Sequence, residues 1–130
     1  MSSPKNNALL AAAHEAREHA YAPYSKFAVG AALQAQDGHV ITACNVENAS
    51  YGLSMCAERN AVFAAVARGM RDFSAIAVAG PAGVLTSPCG ACRQVLAEFN
   101  PNMTVIFSTP DGAQISTVSE LLPHSFGPFV

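Results

Sequence analysis

The sequence predicts an α/β chain: one sheet covered by helices on both faces. Three observations carry that reading. Ser74–Gly80 (SAIAVAG) and Met103–Ser108 (MTVIFS) are continuous apolar runs of strand length, the pattern of strands buried on both sides. Phe27–Gln34 and His39–Val46 flank Gln36-Asp37-Gly38, whose Asp-Gly pair signals a tight hairpin. Three segments with helical caps or stops stand before and between these strands, and such alternation places helices over a sheet.

Taken in order, the first helix runs from about Asn7 to Ala20. Leu9, Leu10 and Ala13 share one side, His14, Arg17 and Glu18 face elsewhere, and Pro23 blocks continuation. After the hairpin, a second helix is expected from Ser54, as N-cap, to Gly69, which suits a C-terminal cap. The third is expected to open on Ser87 with Pro88 at its first position and to stop at Asn100-Pro101. Asp111-Gly112 is a turn, and Gln114–Val118 reads as a short edge strand.

At 130 residues the chain is expected to form one domain, residues 1–130. Half of it is apolar and only 12% is charged, so some apolar surface is expected to face another subunit. The net charge of −2, with no basic stripe, argues against a nucleic-acid partner. The polar segment Met1–Asn7 leads into an alanine-rich stretch rather than a signal-peptide core. The longest apolar run, Ala61–Ala67, is far short of the roughly 20 residues a membrane span needs. The expectation is a cytoplasmic chain without a membrane partner, in which paired cysteines read as metal or redox chemistry.

Cys56-Ala57-Glu58 and Pro88-Cys89-Gly90-Ala91-Cys92 carry the chemistry. They supply three thiols and one carboxylate near two helix starts, where positive partial charge and free N–H groups favour thiolate. Three cysteine ligands suit a zinc ion with an open position, and Glu58 is placed to carry protons beside it. Glu58 and Cys56 converge only if the metal sits off the helix end, because residues two apart do not share a lateral face. Arg59 is expected to hydrogen-bond a ligand sulfur and draw charge off the metal. The alternatives are a structural four-cysteine site with Cys44 as fourth ligand, and a Cys89–Cys92 disulfide. His14 and His19 imitate a protease zinc motif, but a spacing of five turns them about 140° apart.

Further segments extend the pattern: Tyr24-Ser25-Lys26-Phe27 with Val29-Gly30-Ala31-Ala32, Asn45-Val46-Glu47-Asn48, Tyr51-Gly52, Arg93-Gln94, Leu121-Leu122-Pro123 and Phe126-Gly127-Pro128. From about Ala20 to Phe129 the chain resembles the small, homotetrameric cytidine deaminases whose zinc is bound by three cysteines. The resemblance implies a three-layer α/β/α fold with a mixed five-stranded sheet, and one zinc ion per subunit on Cys56, Cys89 and Cys92. It implies hydrolytic deamination of cytidine and 2′-deoxycytidine to the uridine products and ammonia, in pyrimidine salvage. A zinc-activated water would attack C4 while Glu58 shuttles protons. By the same resemblance Asn45 and Glu47 bind the ribose, Phe27 packs on the pyrimidine, and the Ala57 N–H binds its carbonyl oxygen. Phe126 would stack on the base in a neighbouring subunit's site, and Tyr51 would lie at a subunit contact. The chain departs from many relatives in ending Pro-Phe-Val, without an acidic residue. A blasticidin-type antibiotic deaminase, a polynucleotide deaminase and a non-catalytic zinc module are the competing readings.

Overall fold

The computed structural model describes residues 3–130; Met1 and Ser2, the start of the polar N-terminal segment, lie outside the described residues. Helix α1 spans Pro4–Arg17 and β1 and β2 span Gly30–Ala35 and Val40–Cys44. A single 3₁₀ turn at Tyr51–Leu53 precedes α2, Ala57–Ala67. Then come β3 (Phe73–Ala79), α3 (Gly90–Phe99), β4 (Thr104–Thr109), β5 (Gly112–Thr117) and the short α4 (Val118–Leu121).

The five strands form one mixed sheet in the order β2-β1-β3-β4-β5. Only β3 and β4 run parallel, and α3 provides the crossover that a parallel pair requires. As the apolar runs predict, β3 and β4 occupy the middle: Ile76, Ala77 and Val78 have no exposed surface, and Val105 and Ile106 almost none. The hairpin at Asp37-Gly38 forms as read, with Gly38 at φ +97°, a conformation that favours glycine.

Two cores flank the sheet. On one face α1 lays Leu9 and Ala13 against Ala32, Ala77 and Ile106. On the other, Ala61, Val62 and Ala65 of α2 and Leu96 of α3 pack on Leu33, Ile76 and Val105. The small residues set the distance. A Cβ on Gly30 would lie 2.0 Å from the Ala13 carbonyl oxygen, so α1 rides directly on the backbone of β1. Arg17, expected to face away, is half-buried instead: its Nε donates to the Ala28 carbonyl at 2.7 Å and ties the helix end to the segment before β1.

Two helix starts differ from the sequence reading. α2 opens at Ala57 with Cys56 as N-cap, and α3 at Gly90 with Cys89 as N-cap. The serines expected to cap them are engaged elsewhere: Ser54 Oγ accepts from the Asn48 N–H at 3.1 Å, and Ser87 Oγ accepts from Arg93 Nη2 at 3.3 Å. α1 starts three residues earlier than read, capped by Ser3. The last strand ends at Thr117 rather than Val118 and gives way to α4, which opens with a Thr117–Glu120 capping box.

Candidate active site

Placing the cysteines at the N-caps, rather than inside the first turns, is what assembles the site. Cys56 and Cys89 both have extended backbone, with ψ 152° and 168°, and neither helix start has a side-chain cap hydrogen bond. The first-turn N–H groups of both helices therefore have no side-chain cap, and a cysteine stands at each helix start. Cys92 sits in the first turn of α3, fully buried. The three Sγ atoms lie within 4.8 Å of one another, and Cys56 Sγ and Cys89 Sγ are 3.8 Å apart. Tetrahedral coordination with Zn–S bonds of about 2.3 Å separates two sulfurs by about 3.8 Å, so this donor set fits zinc.

Cys44 does not join them. Among the described residues the cluster contains three cysteines only. The Cys44 carbonyl accepts from Asn60 Nδ2 at 2.9 Å, and burial pushes its thiol above the ordinary value. All four cysteines are free, so the Cys89–Cys92 disulfide does not form. The four-ligand structural reading fails with the position of Cys44.

The electrostatics follow from that packing. The Cys56 thiol is held down to about 5, first by a hydrogen bond from Cys92 and then by Arg59, against the opposing effect of burial. Cys92 is pushed up by the same contact and by its own burial. Arg59 Nη2 donates to Cys56 Sγ at 3.4 Å, and its Nε is buried without a hydrogen-bond partner among the described residues. Glu58, only 4% exposed, is raised to about 7, chiefly by burial and further by the negative charge on Cys56.

Cys56 and Glu58 open onto a cavity of about 320 Å³. Cys56, Ala57, Glu58 and Cys89 form its floor, and Phe27, Val29, Asn45, Glu47, Ser25, Thr86 and Ser87 complete the lining. Thr86 was not singled out in the sequence, and Ser87 was read only as a helix cap and Ser25 only as part of a motif; all three reach the cavity through loop geometry. Thr86 is buried against Gly80, where a Cβ would lie 2.0 Å from the Thr86 hydroxyl oxygen.

Asn45 and Glu47 reach the cavity with much of their polar capacity committed to the chain. Asn45 Oδ1 accepts from the Val29 N–H at 2.9 Å, and its Nδ2 donates to the Phe27 carbonyl at 2.8 Å. Glu47 Oε1 accepts from the N–H groups of Tyr24 and Ser25 at 3.0 and 3.1 Å, and its Oε2 accepts from the Ser25 hydroxyl. Hydrogen bonds from Ser25 hold the Glu47 carboxyl below its usual value. Phe27 consequently leaves a pinned loop, not the strand the sequence suggested, and follows Lys26 at φ +61°.

Tyr51 and Phe126 are absent from this lining. Tyr51 is 72% exposed on the 3₁₀ turn, its ring edge-on to Tyr24 at 5.9 Å. Phe126 is 76% exposed in the C-terminal tail, edge-on to Phe129 at 5.1 Å. His14 and His19 are exposed and take no part in the cluster.

Comparison with known proteins agrees with this geometry. Residues 3–109 match a family model described as the cytidine and deoxycytidylate deaminase zinc-binding region. A cytidine deaminase from Sporosarcina psychrophila is 51% identical over 120 residues, covering 91% of this chain and 88% of that one. The 1.6 Å crystal structure of cytidine deaminase from Burkholderia pseudomallei superposes with a TM-score of 0.88 at 49% identity, covering 97% of this chain and all of that one. A blasticidin-S deaminase from Bacillus cereus is more distant, 32% identical over 110 residues, 78% of this chain and 79% of that one.

Proposed function

The chain belongs to the cytidine deaminase family, and on that premise we propose that it hydrolyses cytidine and 2′-deoxycytidine to the uridine products and ammonia. The observation that carries this reading is the cavity in which buried Glu58 stands beside Cys56 and Cys89, with Cys92 completing the thiol cluster from beneath its lining. A non-catalytic zinc module has no use for a carboxylate there. Cys56, Cys89 and Cys92 would hold one zinc ion per subunit. When bound, that ion lowers the pKa of water toward neutrality, supplying a nucleophile at physiological pH.

The chain's own residues do the rest. Glu58 accepts the proton of the attacking water, delivers one to N3 of the base, and protonates the departing amine at C4. Its burial at the helix start keeps the carboxyl close and dry, which suits a group that changes protonation during turnover. Ala57, first residue of α2, offers an N–H with no partner inside the helix to the pyrimidine carbonyl. Phe27 and Val29 provide the apolar wall for the base, and Asn45 and Glu47 face the ribose. Arg59 beside Cys56 offsets the negative charge of three thiolates.

The same reading places Phe126 in a neighbouring subunit's site and Tyr51 at a subunit contact, within a homotetramer. Supporting this, Tyr51, Leu53, Phe63 and Phe126 expose large apolar surface on a chain with few charges. A cytoplasmic role in pyrimidine salvage fits a small nucleoside substrate; no helix among the described residues is long and apolar enough to cross a membrane. The ribose-facing pair favours a nucleoside over a blasticidin-type substrate.

The test is ultraviolet absorbance of zinc-loaded protein mixed with cytidine, compared with Glu58→Gln. Conversion to uridine is expected, with the variant reduced at least 10²-fold while zinc stays bound. Retained activity in the variant would remove Glu58 from the reaction, and no conversion by the zinc-loaded parent would overturn the substrate assignment.

A further inference from the structure

Arg93 and Gln94, the two residues after Cys92, tie α3 to the loop before it and to the C-terminal segment. Arg93 Nε donates to the Pro88 carbonyl at 2.7 Å and Nη2 to the Ser87 hydroxyl, while Nη1 donates to the Leu121 carbonyl at 2.7 Å. Gln94 goes further. Its Nε2 donates to the Phe126 carbonyl at 2.7 Å, and its Oε1 accepts from the Phe126 N–H at 3.2 Å. One side-chain amide thus satisfies both backbone groups of a single residue 32 positions away. Beyond Leu122 the tail has no regular structure, and these are the hydrogen bonds that tie it to the rest of the chain among the described residues.

We propose that Gln94 is a positioning residue: it clamps the backbone of Phe126 and so fixes the direction in which that exposed ring leaves the subunit. The proposal rests on the reading above that Phe126 completes a neighbour's nucleoside site. A ring 76% exposed has little packing of its own to orient it, apart from its edge contact with Phe129. Two hydrogen bonds in the plane of one amide resist both translation and rotation of the Phe126 peptide, which one bond or an apolar contact does not. Because α3 carries Cys89 at its cap, Cys92 in its first turn and Gln94 two residues on, the ring is set by the same rigid element as the thiols.

The two roles separate cleanly by substitution. Phe126→Ala deletes the ring but keeps the N–H and C=O that Gln94 holds. Gln94→Met deletes the clamp, keeps the side-chain length, and leaves the ring. Both are compared with the parent for kcat, KM, zinc content and the rate at which carboxypeptidase releases Val130 and Phe129. The clamp predicts that Gln94→Met raises KM for cytidine by about 5- to 10-fold with a smaller change in kcat, the low end of what losing two neutral hydrogen bonds gives, since both are exposed. It also predicts normal zinc content, faster release of the tail residues, and a double variant no worse in KM than Phe126→Ala. Phe126→Ala with an unchanged KM overturns the reading of Phe126 itself. A raised KM in Phe126→Ala beside an unchanged KM and unchanged tail release in Gln94→Met overturns the clamp. Loss of zinc and kcat together in Gln94→Met also overturns it, in favour of a general role in holding α3.

Discussion

Asn45 offers the most informative perturbation, because it meets the cavity and braces the loop that carries Phe27. Asn45→Ala removes the acceptor for the Val29 N–H and the donor to the Phe27 carbonyl. A hydrogen bond contributes about 0.5–1.5 kcal/mol net. The Phe27 end is exposed and regains water, so the sum falls in the lower half of the range, about 1.5 kcal/mol. For 130 residues the unfolding entropy near the midpoint is about 0.27 kcal/mol/K, and that loss lowers Tm by about 5–6 °C. The assay is thermal unfolding at one fixed protein concentration, since any assembly makes Tm concentration-dependent. Asn45→Asp keeps the acceptor for Val29 and should lose about half as much. Both variants should raise KM, Asn45→Ala more, as Phe27 loses its fixed position. A Tm within 1 °C of the parent for Asn45→Ala would show that these bonds do not brace the loop.

Three further outcomes follow from the same structure. Arg59→Met should weaken zinc retention against a chelator by about 10- to 100-fold and lower turnover, because the donor to Cys56 Sγ is gone; unchanged chelation kinetics would remove that role. Gly30→Ala should cost at least about 3 kcal/mol and lower Tm by about 10 °C or leave the protein insoluble, since the added Cβ meets the Ala13 carbonyl at 2.0 Å. Glu47 has its folded-state value held below its unfolded one, so the stability it lends is present above the ordinary carboxylate value and is lost as pH falls through the depressed one. Amide exchange at Tyr24 and Ser25 should therefore gain protection relative to Glu47→Gln as pH rises from about 3 to about 5, up to the ordinary carboxylate value, and hold that gain above it; identical exchange in the two proteins would refute it.

Much of the fold was legible because it rests on local signals. Continuous apolar runs marked β3 and β4, Asp37-Gly38 marked the hairpin, and the cysteine spacing marked the cluster. The helix starts were misplaced for a reason the sequence hides: Ser54 and Ser87 have good capping chemistry, but their hydroxyls are taken by Asn48 and Arg93. Which of two candidate caps closes a helix depends on tertiary partners. The same holds for the committed amide of Asn45, the Ser25–Glu47 contact and the grip of Gln94 on Phe126. Each joins groups 16 to 32 residues apart, and no periodicity reports such a meeting. Membership of the site for Thr86 depends on the bare backbone of Gly80, which reads in the sequence as an unremarkable strand end.

Helices ordinarily open on Ser, Thr, Asn or Asp, and an N-cap of that kind is worth about 1 kcal/mol over one that does not bond. Two helices here open on cysteine with no cap bond. At Cys56 and Cys89, therefore, the residue that the local backbone prefers and the residue that the centre requires are different. Cys89→Ser is one oxygen-for-sulfur exchange that improves the helix start and removes a soft ligand. Screens that reward thermal stability in the metal-free chain should enrich such replacements, and screens for turnover should eliminate them. The centre occupies two positions where drift toward a better-folded chain leads away from the activity, so its persistence in a sequence reports selection for chemistry rather than for architecture.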